Sequence, residues 1–533
     1  MPKNDIVSEL LMHKSTAEIQ DDLQQGISLE QQYQEVLRSS GQTGSNQSAE
    51  RTSIQNMLQH LRPESEYPWN DQGIGKLFAD VFKNEARFNV TAKEWYTYTG
   101  KIWEEDTGGM HVAQKAKLLA DALLIYCTTI EDELQRTSYT KFVTQYGRYH
   151  NRKTMVDDAR SEYFVSQNDF DRDGKLFNCQ NGVLDLEAFQ LLPHSPDYLL
   201  SKISNVVFDP DARSPRFERF IDEVMLSDKD KITYLQKTLG LALTVDTSLE
   251  TCWIWYGATT RNGKGTLAET ISYMMGNTAG YALAMSPETL AQRKTKDTRQ
   301  ASGDIARLNG CRFLNASEPP KRMLFDAALL KTLLGRDTIT ARHLYEREFE
   351  FVPQFKLFVN TNFLPLIQDD TLFSSGRINV LCFDRHFEPN EQDNTLKETL
   401  RKQKNISGIF NWCLDGLRLY RETGLTPPQS VRDATRAYRE NSDKTQNFID
   451  DCLEQTGNNV GAGTVYQRYA TWCNENGFGT ESKRSFFDEL KNKGLFAPSA
   501  TVNGKTVRNV VIGYELIDDE PPLPDPPPYW KQY

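Results

Sequence analysis

The chain has 533 residues, 38% of them hydrophobic and 25% charged, so it can bury more than one core and should fold into two to four domains. Its formal net charge of −11 excludes a protein that wraps nucleic acid with its whole surface, and any DNA contact must come from local basic patches. The eight cysteines form no CxxC pairs, which argues against a zinc site or a disulfide framework, and no apolar run is long enough to cross a membrane.

The first half of the chain predicts a polar segment, a folded domain and a helical connector. Residues 1–70 are polar and rich in Gln and Ser, which is typical of a flexible appendage. Residues 75–205 have a globular composition, and 206–250 predict a connector. The elements expected in these two regions are a β-hairpin at Trp95–Asp106, a helix at Ala113–Thr129, strands within Leu176–Leu192 that turn at Asn181-Gly182, and helices at Phe217–Leu226 and Lys229–Thr244.

The segment Thr251–Leu267 (TCWIWYGATTRNGKGTL) predicts a nucleotide-binding loop. An apolar strand leads into small residues that end in Asn262, Gly263, Lys264, Gly265 and Thr266, and a helix follows. Backbone N–H groups, a lysine and a helix N-terminus can together hold phosphates. The match departs from the usual spacing, because Gly257 lies one residue too far from Gly263 and Gly265 occupies the usual Ser or Thr position.

Three further polar residues follow strands downstream of this loop. Glu318 ends the buried pattern CRFLNASE, Asn362 ends FKLFVNTN, and Arg377 precedes the strand Asn379–Phe383. Alternating strands and helices indicate a parallel sheet, whose carboxyl edge would collect the first two near the phosphates. Taken singly, each has a plainer interpretation: a surface glutamate, an Asx-turn residue and a surface arginine.

The order of these features resembles the superfamily 3 helicases, and in detail the phage and plasmid primase-helicase family, whose preceding domain also occurs in the poxvirus primase-helicase. The resemblance covers residues 75–440. It depends on FNCQNGVLDL (Phe177–Leu186), NGKGT (Asn262–Thr266), CRFLNASE (Cys311–Glu318), LLGRDTITARHLYE (Leu333–Glu346), NTNFLP (Asn360–Pro365) and GRINVLCF (Gly376–Phe383).

The resemblance implies ATP and Mg²⁺ as cofactors. Lys264 would hold phosphate, Thr266 and Glu318 would hold the metal, and Glu318 would be the catalytic acid. Asn362 would be the polar sensor. Arg377 would act on the nucleotide of a neighbouring subunit, in a homo-oligomer that is expected to be a hexamer.

Lys331–Glu350 predicts a β-hairpin or an extended loop, since Thr338, Thr340 and Arg342 alternate with apolar residues. In superfamily 3 helicases of small DNA viruses a similar hairpin lines the central channel. Arg342 and His343 are expected near its tip with Lys331 behind them, gripping phosphates of single-stranded DNA. The alternative is a solvated loop in which Arg342 pairs with Glu346 or Glu348.

The end of the chain predicts a linker at 426–445, a winged helix at 446–518 and a Pro-rich tail at 519–533. Three helices would precede a hairpin that turns at Asn503-Gly504. A local positive patch formed by Lys483, Arg484, Lys505 and Arg508 suits duplex origin DNA. The alternative is a winged helix that binds another protein.

The fold expected from these features is α/β: an AAA+-like superfamily 3 P-loop ATPase at 251–425, a mixed α+β collar before it and a winged helix after it. The expected function is a ring-forming replicative DNA helicase of a phage, plasmid or related mobile element, in the cytoplasm of a bacterial host. A separate primase or polymerase is an expected partner, since 1–70 is too short and polar for a polymerase domain, and no membrane is expected. An ATP-switched replication initiator and, further off, a nucleotide kinase are the rival interpretations.

Overall fold

The computed structural model describes residues 50–292, 301–321, 323–342, 348–475 and 478–517. Its contacts divide the chain into two compact units, one of residues up to 173 with 194–201, the other of residues 174–193 with those from 202 onward. Within the described residues, no helix has both the length and the apolar character that crossing a bilayer requires.

Within its described residues, the first unit packs six α-helices and a small antiparallel sheet, ordered β1-β2-β3, around one apolar core. Its helices are α1 (50–61), α2 (Pro63–Glu66), α3 (Asp71–Phe82), α4 (Met110–Tyr126), α5 (Glu133–Thr144) and α6 (Tyr149–Ala159). Its strands are β1 (Ala86–Asn89), β2 (Glu94–Tyr98) and β3 (Trp103–Glu105). The predicted hairpin and helix are confirmed.

The predicted domain boundaries differ from the structure at both ends of this unit. The described part of the predicted appendage, residues 50–70, is not a free polar segment, because α1 buries Ile54 and Leu58 in the core of this unit. Residues 174–193 belong to the second unit. They form the antiparallel strands β4 (Leu176–Cys179), β5 (Gly182–Asp185) and β6 (Gln190–Leu192), and Phe177 stacks between Tyr281 and Phe410 at centroid distances of 4.6 and 5.0 Å.

The second unit is built on a parallel five-stranded sheet in the order β13-β7-β12-β9-β8. The predicted parallel α/β core is therefore confirmed. The five strands are β7 (Cys252–Tyr256), β8 (Ala282–Met285), β9 (Phe313–Ser317), β12 (Lys356–Thr361) and β13 (Ile378–Cys382). Side chains alternate between two cores: Trp253 and Trp255 enter one, and Ile254 enters the other.

Helices cover both faces of this sheet, and a two-stranded hairpin adjoins them. The helices are α7 (Pro215–Val224), α8 (Lys229–Leu241), α9 (Lys264–Met275), α10 (Ala301–Ala306), α11 (Ala327–Leu334), α12 (Thr371–Ser374), α13 (Leu396–Arg401), α14 (Gln403–Thr423) and α15 (Gln429–Ser442), and the hairpin strands are β10 (Ile339–Ala341) and β11 (Phe349–Phe351). Helices α8 and α14 cross closely, because a Cβ on Gly240 would lie 2.2 Å from the backbone nitrogen of Leu417.

The predicted linker at 426–445 is instead mostly helix α15, which packs on β13. Val431 and Tyr438 are buried, and the Tyr438 hydroxyl donates to the carbonyl of Pro365 at 2.5 Å. The charges of this segment lie on the outer side of a helix whose buried positions, Val431, Tyr438 and Ser442, are seven and four residues apart, as one helical face requires. That periodicity was missed because so few apolar residues carry it.

Two buried cations, Arg312 and Lys356, hydrogen-bond the amino edge of the parallel sheet to carbonyl groups of neighbouring segments. Arg312 donates to the carbonyls of Leu243 and Leu176 at 2.7 and 2.8 Å and lies 4.6 Å from the Tyr281 ring. Lys356 donates to the carbonyl of Thr244, and its burial lowers its pKa, as does the nearby Arg312. Both satisfy carbonyls just beyond α8.

The last residues of the second unit form a small domain with its own core. Its elements follow the order α16 (Lys444–Cys452), β14 (Leu453–Gly461), α17 (Ala462–Glu475), α18 (Lys483–Asn492), β15 (Phe496–Val502) and β16 (Lys505–Leu516). The three predicted helices and the hairpin are present, and Asn503 and Gly504 both have positive φ, as a tight hairpin turn requires. Strand β14 was not predicted.

Candidate nucleotide site and nucleic-acid contacts

The predicted phosphate loop lies at the carboxyl edge of the parallel sheet. It leaves β7, which pairs with β12 on one side and β13 on the other, and α9 begins at Lys264. Gly263 precedes this helix with φ of 85°, a conformation that favours glycine, and no side chain caps the helix. Strand, loop and helix N-terminus thus form an arrangement that can receive an anion.

Lys264 is buried against this loop, with 4% of its surface exposed. Its ammonium group donates to the side-chain oxygen of Asn362 at 2.8 Å and to the carbonyl of Gly257 at 3.3 Å. Burial lowers the pKa of Lys264 to about 8, and the carboxylate of Glu318 opposes this shift. The structure therefore brings Lys264, Asn362 and Glu318 together.

The irregular spacing of the loop has a steric explanation at Gly257. A Cβ there would lie 2.8 Å from the backbone carbonyl oxygen of Phe383, which cannot move aside as a side chain can, and 2.4 Å from the side-chain nitrogen of Asn262. Glycine is thus required at 257, although the motif placed it out of register. The Asn262 amide donates to the carbonyl of Thr259 within the loop, so its side chain braces the loop rather than facing a ligand.

Glu318 directly follows β9 in a left-handed conformation with φ of 56°, and its N–H donates to the carbonyl of Asn360 at 2.7 Å. One residue earlier, the Ser317 hydroxyl accepts a hydrogen bond from Asn315 at 2.8 Å. Asn315 and Ser317 lie on the sheet face that α9 covers, because they alternate along β9 with Leu314 and Ala316, whose side chains enter the core on the opposite face. Sequence reasoning missed this pair.

Thr266 lines a cavity of about 350 Å³ beside the loop. Glu318 and Asn362, which the structure also describes, do not line this cavity. Phe220, Phe387 and Leu396 supply apolar walls, and the remaining lining residues are mostly polar or charged. The Phe387 N–H donates to the carbonyl of Arg261 at 2.9 Å, which holds the segment after β13 over the loop. In this mostly polar cavity, the rings of Phe220 and Phe387 offer flat apolar surfaces against which a heterocycle can lie. Gly265 occupies the position where the motif usually has Ser or Thr. A Cβ at Gly265 would meet nothing within 4 Å, so the structure has room for a hydroxyl-bearing side chain there.

Arg377 is not part of this cluster. The Cys252 N–H donates to its carbonyl at 2.7 Å, which places Arg377 at the amino edge of the sheet, opposite the phosphate loop. Its guanidinium pairs with Glu250 and is 24% exposed. Arg377 therefore lies too far from the phosphate loop of its own chain to contact a nucleotide held there.

Strands β10 and β11 pair antiparallel, Ile339 opposite Phe351, so the predicted hairpin is present. Arg342 directly follows β10, and His343 lies outside the described residues. Lys331 is not on the hairpin; it lies in the last turn of α11 and its ammonium pairs with Asp369 at 2.6 Å.

The four predicted cations of the C-terminal domain are all exposed. Lys483 and Arg484 begin α18, with the Lys483 ammonium 5.7 Å from the centre of the Phe487 ring. Lys505 and Arg508 lie on β16 after the hairpin turn. Lys493, by contrast, pairs with Asp443 at 2.6 Å and is not available to DNA.

Two family models match the chain. The model described as "D5 N terminal like" matches residues 75–226, and "Poxvirus D5 protein-like" matches 440–522. The "apo structure of NrS-1 C terminal region" covers 83% of this chain and 99% of its own at 11% identity, with a TM-score of 0.44.

Two curated viral proteins named "putative helicase" are similar in sequence. The one from Acanthamoeba polyphaga mimivirus is 28% identical over 348 residues, covering 61% of this chain and 35% of the relative. The one from Frog virus 3 is 28% identical over 243 residues, covering 42% of this chain and 24% of the relative. The chain thus spans about a third and a quarter of these relatives. The two D5 models match before and after the parallel sheet in sequence, and together with the helicase-named relatives they support a D5-like primase-helicase family for this chain.

Proposed function

We propose that the protein is an ATP-driven replicative DNA helicase with a superfamily 3, AAA+-like motor. The observation that carries this proposal is the meeting of Lys264, Asn362 and Glu318 at the carboxyl edge of a parallel sheet. Helicase-named relatives support the same class. Both relatives belong to viruses of eukaryotes, so nothing supports the bacterial host that the sequence predicted.

The residues present fit a nucleoside triphosphate. Lys264 would exchange its bond to Asn362 for a phosphate oxygen, and the base would lie between Phe220 and Phe387 in the cavity beside Thr266. Adenine is the expected base. Asn362, once released, can hydrogen-bond the terminal phosphate or the attacking water.

Mg²⁺ would neutralise charge on the phosphates and keep several waters, as it does where few protein ligands exist. Glu318 and the predicted Thr266 are the ligand candidates, and the Ser317 hydroxyl is the added one. Among the described residues, no group of three or more His, Cys, Asp or Glu side chains is placed to hold a metal ion. The carboxylate of Glu318 would orient the attacking water and accept its proton.

The position of Arg377 favours action between subunits. We propose a closed ring, expected to be a hexamer, in which each site takes Lys264 and Glu318 from one subunit and Arg377 from the next. The β10–β11 hairpins with Arg342 would grip single-stranded DNA in the channel. The C-terminal domain, with winged-helix element order, would bind duplex origin DNA through Lys483, Arg484, Lys505 and Arg508. A separate primase or polymerase remains an expected partner.

Measurement of ATP hydrolysis with and without single-stranded DNA tests this proposal in wild type, Lys264→Ala and Glu318→Gln. Hydrolysis stimulated by DNA and lost in both variants supports a motor. Nucleotide binding without DNA-stimulated turnover would instead identify an ATP-switched initiator, which needs the same site but no processive unwinding.

A further inference from the structure

A basic stretch of the first unit has no part in the functions proposed above. Between Glu133 and Asp157 the chain contains no acidic residue, although its net charge is −11. The same stretch holds the cations Arg136, Lys141, Arg148, Arg152 and Lys153. None of these five forms an ion pair with a residue that the structure describes.

The structure gathers the second part of this stretch at the junction of α5 and α6. Val143, Tyr146 and Met155 point into the core, which turns the polar side of both helices outward. Arg148 and Lys153 are exposed. Arg152 donates to the carbonyls of Tyr146 and Gly147 at 3.1 and 2.5 Å, which fixes the turn leading into α6.

Tyr149 stands in the middle of these cations with 74% of its surface exposed. A tyrosine that contributes nothing to the core can present its ring to a flat ligand. The positive charges of this stretch favour a polyanion as the partner. An exposed aromatic ring beside cations favours single-stranded nucleic acid, because its unstacked bases can stack on the ring, whereas the bases of a duplex are covered.

We propose that this basic face, defined as Arg148, Tyr149, Arg152 and Lys153, binds single-stranded DNA. The cations neutralise phosphates and a base stacks on Tyr149. The contact lies outside the ATP site, the β10–β11 hairpin and the C-terminal domain, so it does not depend on the proposed motor.

Photocrosslinking tests the contact directly in the full chain. A single-stranded oligonucleotide containing 5-bromodeoxyuridine is irradiated with the protein, and crosslinked peptides are identified by mass spectrometry. The peptide that contains Tyr149 should be crosslinked, and the yield should drop in Tyr149→Ala and recover in Tyr149→Phe. Absence of that peptide among the crosslinks would overturn the proposal.

Binding of fluorescein-labelled oligothymidylate at several salt concentrations gives an independent readout. The double variant Arg148→Glu/Lys153→Glu removes two phosphate contacts, so the slope of log affinity against log salt should fall by about 1.4. Tyr149→Ala should weaken binding about tenfold, and much less for a duplex of the same length. Lys117→Glu, an exposed cation on α4, is the matched control and should leave both quantities unchanged. Unaltered DNA binding with a changed oligomeric state would show a protein contact instead and refute the DNA assignment.

Discussion

The burial of Lys264 makes nucleotide affinity depend on pH in a range where most lysines do not titrate. The pKa of its ammonium group is lowered to about 8. A bound triphosphate favours the charged form, so binding above pH 8 must take up a proton. Affinity should therefore be full below that pH and fall as pH rises through it.

The size of the effect follows from the protonated fraction. With a pKa of about 8, roughly nine-tenths of the free protein carries the charge at pH 7 and roughly one-tenth at pH 9. Because the uncharged form must first be protonated, the dissociation constant should be about tenfold larger at pH 9. The same burial disfavours the folded state while the lysine is charged, so stability should rise as pH increases from 8 toward the unfolded value.

Titration of a fluorescent, non-hydrolysable ATP analogue from pH 7 to 9 measures this dependence. Lys264→Arg is the matched control, since a guanidinium stays charged over the whole range and its binding curve should be flat apart from the titration of the ligand. Equal pH dependence in the two proteins, or none in wild type, would refute the argument that Lys264 is buried beside the phosphates.

Four other perturbations have defined outcomes. Glu318→Gln should keep ATP affinity within about twofold and slow hydrolysis at least a hundredfold; loss of binding would contradict its role toward water. Arg377→Ala and Lys264→Ala should each lack ATP hydrolysis. An equal mixture should regain about a quarter of the wild-type hydrolysis rate, because about a quarter of the sites in randomly mixed rings combine an intact Lys264 with an intact Arg377 from the neighbour. No regain would exclude action between subunits. Phe387→Ala should weaken ATP binding about tenfold, and Phe387→Tyr should bind ATP with near wild-type affinity. Equal weakening by the two variants would contradict the placement of the base in that cavity. Gly240→Ala should lower the free energy of unfolding in denaturant titration by about 3 kcal/mol, because its Cβ would meet rigid backbone of α14; an unchanged value would contradict that close packing.

The parts of the site that sequence could predict are those carried by local pattern. An apolar strand followed by glycine, lysine and a helix placed Lys264, and the carboxyl ends of two further strands placed Glu318 and Asn362. In a parallel sheet these ends meet at one edge, so the strand pattern together with the resemblance to superfamily 3 helicases was enough to assemble them.

The remaining parts depend on contacts between distant segments. Phe220 and Phe387 line one cavity although more than half of the ATPase sequence separates them, and nothing local marks either residue. The requirement for Gly257 became visible only from the close approach of the Phe383 backbone carbonyl. Helix α15 resembled a linker because its buried side holds few apolar residues.

Fork unwinding tests the central claim most directly. A labelled DNA fork is incubated with ATP and Mg²⁺ and either wild type or Lys264→Ala, and strand release is followed with time. The proposed motor predicts release by wild type that requires ATP and is abolished in the variant. Wild type that binds the nucleotide and the fork but releases no strand would contradict it.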